Sequence, residues 1–131
     1  MSTIFFAYQR FSSMIDLKKY NLNKNQHRMI YLVAELNIAS IGKIQKLLNI
    51  SRQAFNVNLR ELVERKLVNE VTSKKDKRIK TLELTEKGIE LNNKVNEEQK
   101  KEIEAIFDRV NNDWEKAMIE LSKEYINELD K

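Results

Sequence analysis

Apolar residues recur every three to four positions through most of the chain, and short polar breaks separate the runs. Ile4, Tyr8, Phe11 and Ile15 keep that spacing, with Phe5, Met14 and Leu17 widening the stripe, so a helix is predicted over residues 4–18. Asn21-Leu22-Asn23-Lys24-Asn25 interrupts it and offers Asn side chains as caps. A second helix carries Met29 or Ile30, Val33 and Leu36 to about Asn37. Ile38-Ala39-Ser40 reads as a very short strand or an extended connector. Ile41, Ile44 and Leu48 line one face of a short third helix over 41–48, and Ile50 follows the break at Asn49.

Ser51 suits an N-cap, and a fourth helix over 52–66 turns Phe55, Leu59, Leu62 and Val63 inward. Arg52, Gln53, Asn56, Val57 and Arg60 then fall on another face. Residues 67–72 read as a strand, 73–78 as a charged turn, and 79–84 as a returning strand in which Ile79, Thr81 and Glu83 alternate with Lys80, Leu82 and Leu84. A long helix begins near Thr85, whose hydroxyl caps it; Gly88 in its first turns signals close packing or a weak start. Leu91, Val95, Ile103, Ile106 and Val110 continue its stripe. Gln99 marks either a partly exposed middle or a polar contact with another subunit. After a break at Asn111-Asn112-Asp113, the last helix presents Trp114, Met118, Leu121, Tyr125 and Leu129 in a near-heptad rhythm, with Ile119 and Ile126 extending the face.

This order is mainly α with a small β-hairpin, the layout of a winged helix-turn-helix with N- and C-terminal dimerisation helices. Residues 41–48 form the scaffold helix, 51–66 the helix offered to the major groove, and 67–84 the wing. The expected organisation is a single domain over 1–131, with a DNA-binding lobe at 38–84 and a helical dimerisation region at 1–20 and 85–131.

Charge sharpens this picture. The 131 residues carry 24 basic and 20 acidic side chains, but the local balance is +3 over 1–42, +7 over 43–80 and −6 over 81–131. A basic middle beside an acidic end suits a polyanion on one side and solvent or a partner on the other, although folding alone also produces such asymmetry. The chain has no Cys and one His, which excludes disulfides, thiolate cages and an ordinary multi-His site, so neither metal nor cofactor is expected. His27 reads as a capping, surface or packing residue. Asp76, Glu61 and Glu64 lie near basic residues without a nucleophile arrangement, and two glycines make no phosphate-cradling loop, so no enzyme is expected. Apolar runs fall far short of the roughly 18 residues that cross a bilayer, and no basic start precedes Ile4-Phe5-Phe6-Ala7; a cytoplasmic protein without a membrane partner is expected.

The run from Ser51-Arg52-Gln53-Ala54-Phe55 through Arg65-Lys66-Leu67-Val68, followed by Lys74-Lys75-Asp76-Lys77-Arg78 and Leu84-Thr85-Glu86-Lys87-Gly88, resembles the MarR family of bacterial transcriptional regulators, including its Staphylococcal accessory regulator-like branch. The resemblance extends over nearly the whole chain. Its Asp-x-Arg wing element matches Asp76 and Arg78, and its Leu-Thr-x-x-Gly element matches Leu84, Thr85 and Gly88. It implies a homodimer joined through terminal helices, placing two recognition helices in successive major grooves of a roughly palindromic operator, usually to repress and sometimes to activate. Two departures stand out. Lys66 occupies the place where the family commonly has Gly, so the helix must end there without glycine's freedom at positive φ. Members that sense oxidants through Cys are no guide to a chain without one.

On such a surface Arg52 and Arg60 suit guanine O6 and N7, Gln53 and Asn56 suit adenine N6 and N7, and Val57 suits a thymine methyl. Ser51 serves as cap or phosphate contact; Lys43 and Lys46 bind phosphate or form a solvated face. Lys74, Lys75, Lys77 and Arg78 suit the duplex backbone, with Arg78 the candidate for a narrow minor groove. Asp76 would repel DNA if it pointed outward, so it is expected to hold the wing or Arg78 by a charge-assisted hydrogen bond. Ile4, Tyr8, Phe11 and Ile15, together with Trp114, Met118, Leu121, Tyr125 and Leu129, are the candidate dimerisation residues; the alternative is that both stripes close one monomeric core. Tyr8, Phe11, Tyr20, Tyr31 and Trp114 serve as core by default or line a small-molecule effector pocket, and no effector can be named. The competing function is a winged-helix protein-binding or structural module with only weak non-specific DNA affinity. RNA fits less well, because aromatics do not interleave with the basic strands.

Overall fold

The structure is a computed structural model describing residues 2–110 and 113–129. Backbone proximity divides the chain into two units, residues 1–96 and 97–131. The first holds α1 (Ser2–Ser13), a 3-10 turn (Leu17–Tyr20), α2 (Lys24–Glu35), α3 (Ile41–Leu48), α4 (Arg52–Glu64), β1 (Val68–Thr72), β2 (Lys80–Leu84) and the start of α5 (Glu86–Phe107). The second holds the end of α5 and α6 (Asp113–Leu129).

The helix expected over 4–18 is two pieces. The Ser12 and Ser13 hydroxyls donate to carbonyls one turn back, at Tyr8, Gln9 and Arg10, and the Asp16 carboxylate accepts from Lys18 N to cap the next turn. Such local bonds compete with the helical ladder. Next, α2 opens on a capping box: Asn23 Oδ1 accepts from Gln26 N at 2.8 Å, and Gln26 Oε1 accepts from Asn23 N at 3.2 Å. It stops short of Asn37 because Leu36 is already extended.

Met29, Ile30 and Val33 of α2, Ile44 and Leu48 of α3, Phe55, Leu59 and Leu62 of α4, and Leu67, Val68 and Leu82 of the hairpin form one core. Burial of each large side chain contributes about 1.5–3 kcal/mol. Asn49 closes α3 in the left-handed region at φ 52, a conformation Asn tolerates. Two residues before its predicted end, α4 stops; Arg65 caps it and Lys66 turns the chain at φ 59. The turn thus keeps the left-handed geometry without glycine. Val63, expected inside, is exposed, because it follows Asn56 and Arg60 at i+7 and i+3 on the open face.

The antiparallel hairpin pairs Val68 with Leu84 and Thr72 with Lys80. The connector joins it through a single Ser40–Thr81 bridge, with Leu82 N donating to Ala39 O at 2.8 Å. Ile79 belongs to the turn rather than the strand: its N–H donates to Asp76 O and its carbonyl accepts from Ser73 N.

Close packing explains Gly88. A Cβ there would lie 2.2 Å from the Leu67 carbonyl oxygen. Thr85 Oγ1 accepts from Gly88 N at 3.0 Å and donates to Lys66 O at 2.6 Å, so one hydroxyl caps α5 and fastens it to the turn before β1.

Further along α5, Val95 is buried, while Gln99, Ile103 and Ile106 are half-buried; Val110 lies past the helix end and is exposed. The predicted break at Asn111-Asn112 lies outside the described residues, as does the side chain of Leu129. Ile4, Phe5, Phe6 and Tyr8 of α1 are exposed, with Phe11 and Ile15 half-buried. Trp114, Ile119, Leu121, Tyr125 and Ile126 of α6 are exposed too, and Met118 is half-buried. Among the described residues, no helix is long and apolar enough to cross a membrane.

Candidate nucleic-acid interface

The polar face of α4 is open. Arg52, Gln53, Asn56 and Arg60 are all exposed, Val57 is 47% exposed, and Phe55, Leu59 and Leu62 behind them are 0–5% exposed. Ser51 Oγ accepts from Ala54 N at 3.1 Å, capping the helix while remaining exposed. No acidic residue occupies the first turn, so nothing there opposes the positive end of the helix dipole. Lys43 and Lys46 are exposed on the preceding helix, α3.

The wing loop is held by its own side chains. Ser73 Oγ accepts from Lys75 N and Asp76 N, both at 3.3 Å. Asp76 Oδ1 accepts from Arg78 N at 3.0 Å and from Arg78 Nε at 3.2 Å, while its Oδ2 accepts from Nη2 at 3.4 Å. The guanidinium, chiefly, and then the backbone N–H of Arg78 hold the Asp76 carboxyl below the usual carboxylate range. Arg78 nevertheless stays 91% exposed in its side chain, tethered but presented outward. Lys74, Lys75 and Lys77 are exposed beside it.

Sequence patterning missed a third stripe on α4. Asn58, Glu61 and Arg65, spaced three and four apart, reach toward the start of α2. Asn58 Oδ1 accepts from Asn23 Nδ2 at 2.8 Å, Glu61 Oε2 accepts from Gln26 Nε2, and Arg65 donates to the carbonyls of Asn21 and Tyr20 at 2.6 and 3.2 Å. The available signal was a polar residue, Asn58, adjoining the apolar positions Phe55, Leu59 and Leu62.

Among the described residues, no group of His, Cys, Asp or Glu could hold a metal ion. Burial lowers the pKa of His27, and its Nε2 is buried without a hydrogen-bond partner among the described residues. The aromatics expected to default to core do not all do so: Tyr8, Tyr31 and Trp114 are exposed, Phe11 is half-buried, and Tyr20 packs against the core. They do not line the open cavity of about 590 Å³ between the end of α2, the connector, β2 and the start of α5. Its walls include Val33, Leu36, Leu82 and Ile89, and the side-chain oxygens of Asn92 and Asn96 are buried there without partners among the described residues.

A three-helix core with a capped, outward-facing helix and a two-stranded basic wing defines a winged helix-turn-helix protein. Residues 20–79 match the family model described as MarR family. The chain is 28% identical over 109 residues to the HTH-type transcriptional regulator PetP of Rhodobacter capsulatus, covering 82% of this chain and 66% of PetP. It is 40% identical over 95 residues to the HTH-type transcriptional regulator Hpr of Bacillus cytotoxicus, covering 70% of this chain and 49% of Hpr. It therefore spans only about half to two thirds of these relatives. Its fold matches that of S. aureus MepR in DNA-binding conformation with a TM-score of 0.78 at 20% identity, covering 98% of this chain and 97% of MepR. The chain is thus similar to the MarR family over its winged-helix segment.

Proposed function

We propose that this chain is a homodimeric, sequence-specific, double-stranded DNA-binding transcriptional regulator, acting as a repressor where its site overlaps a promoter. The observation that carries the reading is the two-sidedness of α4: Arg52, Gln53, Asn56 and Arg60 open to solvent, Phe55, Leu59 and Leu62 sealed behind them. In the major groove those four side chains address base edges and Val57 meets a thymine methyl. Ser51, Lys43 and Lys46 contact phosphates at the groove edge. The wing follows the backbone through Lys74, Lys75 and Lys77, and Arg78, oriented by Asp76, enters the adjacent minor groove. The exposed stripes of α1 and α6 join two protomers, so that two recognition helices meet half-sites about one helical turn apart.

Selection of genomic fragments followed by footprinting tests the proposal. A regulator enriches particular fragments far above its general DNA affinity and protects two half-sites. Uniform weak binding instead supports the protein-binding module. In the same assay Arg78→Ala weakens operator binding and lowers the salt dependence by about one counterion per protomer, with the dimer intact. Unchanged affinity at near-physiological salt removes Arg78 from the interface.

A further inference from the structure

We propose that Asn58, Glu61 and Arg65 are positioning residues: they fix the rotation of α4 about its own axis against the start of α2, and so decide which side chains reach the base edges. This rests on the reading of α4 as the groove-bound helix.

The apolar contacts of Phe55, Leu59 and Leu62 hold α4 to the core, but such contacts are non-directional and tolerate small rotations. A turn of about 20° moves side-chain tips at a radius of roughly 5–6 Å by about 2 Å. That displacement exceeds what a bidentate base contact accepts. Hydrogen bonds supply the missing direction. Both capping-box oxygens are committed within α2, Asn23 Oδ1 to Gln26 N and Gln26 Oε1 to Asn23 N. The two amide NH2 groups face α4, and the buried one, of Gln26, needs an acceptor there. Asn58 Oδ1 and Glu61 Oε2 provide them.

Asn58 is itself fixed, because its Nδ2 donates to Ala54 O at 2.8 Å. Asn58 and Gln26 are 8% and 3% exposed, so neither amide has water as a ready substitute. Arg65 completes the set at the helix end, gripping the carbonyls of Tyr20 and of Asn21, the left-handed cap of the 3-10 turn. Three polar contacts thus run beside the apolar seam, on the flank away from the open face.

The test compares full-length Glu61→Ala, Glu61→Gln and Asn58→Ala, measuring affinity for a selected genomic fragment and for random-sequence DNA of equal length at one salt concentration. Glu61 is exposed, so its variants keep the fold even if Asn58→Ala does not. Glu61→Ala is expected to lower the ratio of selected to random affinity about tenfold, the scale of one lost base contact. Glu61→Gln removes the same charge but keeps an acceptor for Gln26, and restores the ratio. A folded Asn58→Ala lowers it like Glu61→Ala. A ratio in Glu61→Ala within twofold of the unsubstituted protein overturns the proposal, as does an equal loss in Glu61→Gln. Failure of the unsubstituted protein to select any fragment removes the reading of α4 itself.

Discussion

Lys66 turns the chain between α4 and β1 at φ 59, where a Cβ costs an L-residue about 1–2 kcal/mol. Its backbone is engaged on both sides, N–H to Val63 O and carbonyl to the Thr85 hydroxyl, so the geometry stays fixed while the side chain remains exposed. Lys66→Gly removes the steric cost but adds unfolded-chain entropy worth about 0.4–1 kcal/mol. The net expectation is a gain of up to about 1.6 kcal/mol, seen as a higher urea midpoint; a lower midpoint contradicts the strain. His27 illustrates the opposite sensitivity. Burial places its folded pKa below its ordinary value, so the unfolded chain takes up a proton first as pH falls. Its contribution is complete above the unfolded value of about 6.5 and is lost as pH drops through that value toward the folded one. Urea unfolding at pH 7.5 and 5.5 should show a stability loss that His27→Leu abolishes. An equal loss in the variant assigns the effect elsewhere.

At the scale of elements, hydrophobic period located α3, α4, the hairpin and α6, because each buries or presents a regular stripe. Boundaries shifted where side-chain bonds outweighed period, as at Ser12, Ser13 and Asp16 in the first helix. Gly88 shows two effects in competition. Alanine would improve the intrinsic propensity of α5 by about 1 kcal/mol. Its Cβ, however, would lie 2.2 Å from the Leu67 carbonyl oxygen, and a backbone atom cannot swing aside. Overpacking of this kind costs about 1–3 kcal/mol, so Gly88→Ala is expected to be net destabilising. A raised thermal midpoint would show that α5 and the start of β1 are not so close.

For the whole molecule, the telling feature is apolar surface left outside one chain. Ile4, Phe5, Phe6 and Tyr8 on α1, and Trp114, Leu121 and Tyr125 on α6, are 47–69% exposed. The proposed homodimer covers them. Leu121→Glu separates the cases: on a free monomer surface it changes stability by less than about 0.5 kcal/mol. In a two-fold interface it places uncompensated charges where water is excluded. Sedimentation at micromolar concentration should show a dimer for the parent chain and a shift toward monomer for the variant; a parent monomer rejects the interface and the palindromic site with it.

Sequence alone determined the order of elements, Phe55, Leu59 and Leu62 as inward residues of α4, and the polar residues opposite them. These follow from periods of 3.6 and 2 that any chain must obey to bury an apolar face. It also located the basic wing and the Thr85 cap, since both are local. Tertiary structure decided what depends on contacts between distant segments: Asn58 and Glu61 meeting α2 across 35 positions, Lys66 held left-handed, and Gly88 pressed on Leu67. Hydrogen bonds between remote side chains leave no period in the sequence, because each depends on where two elements come to rest and not on the spacing within either.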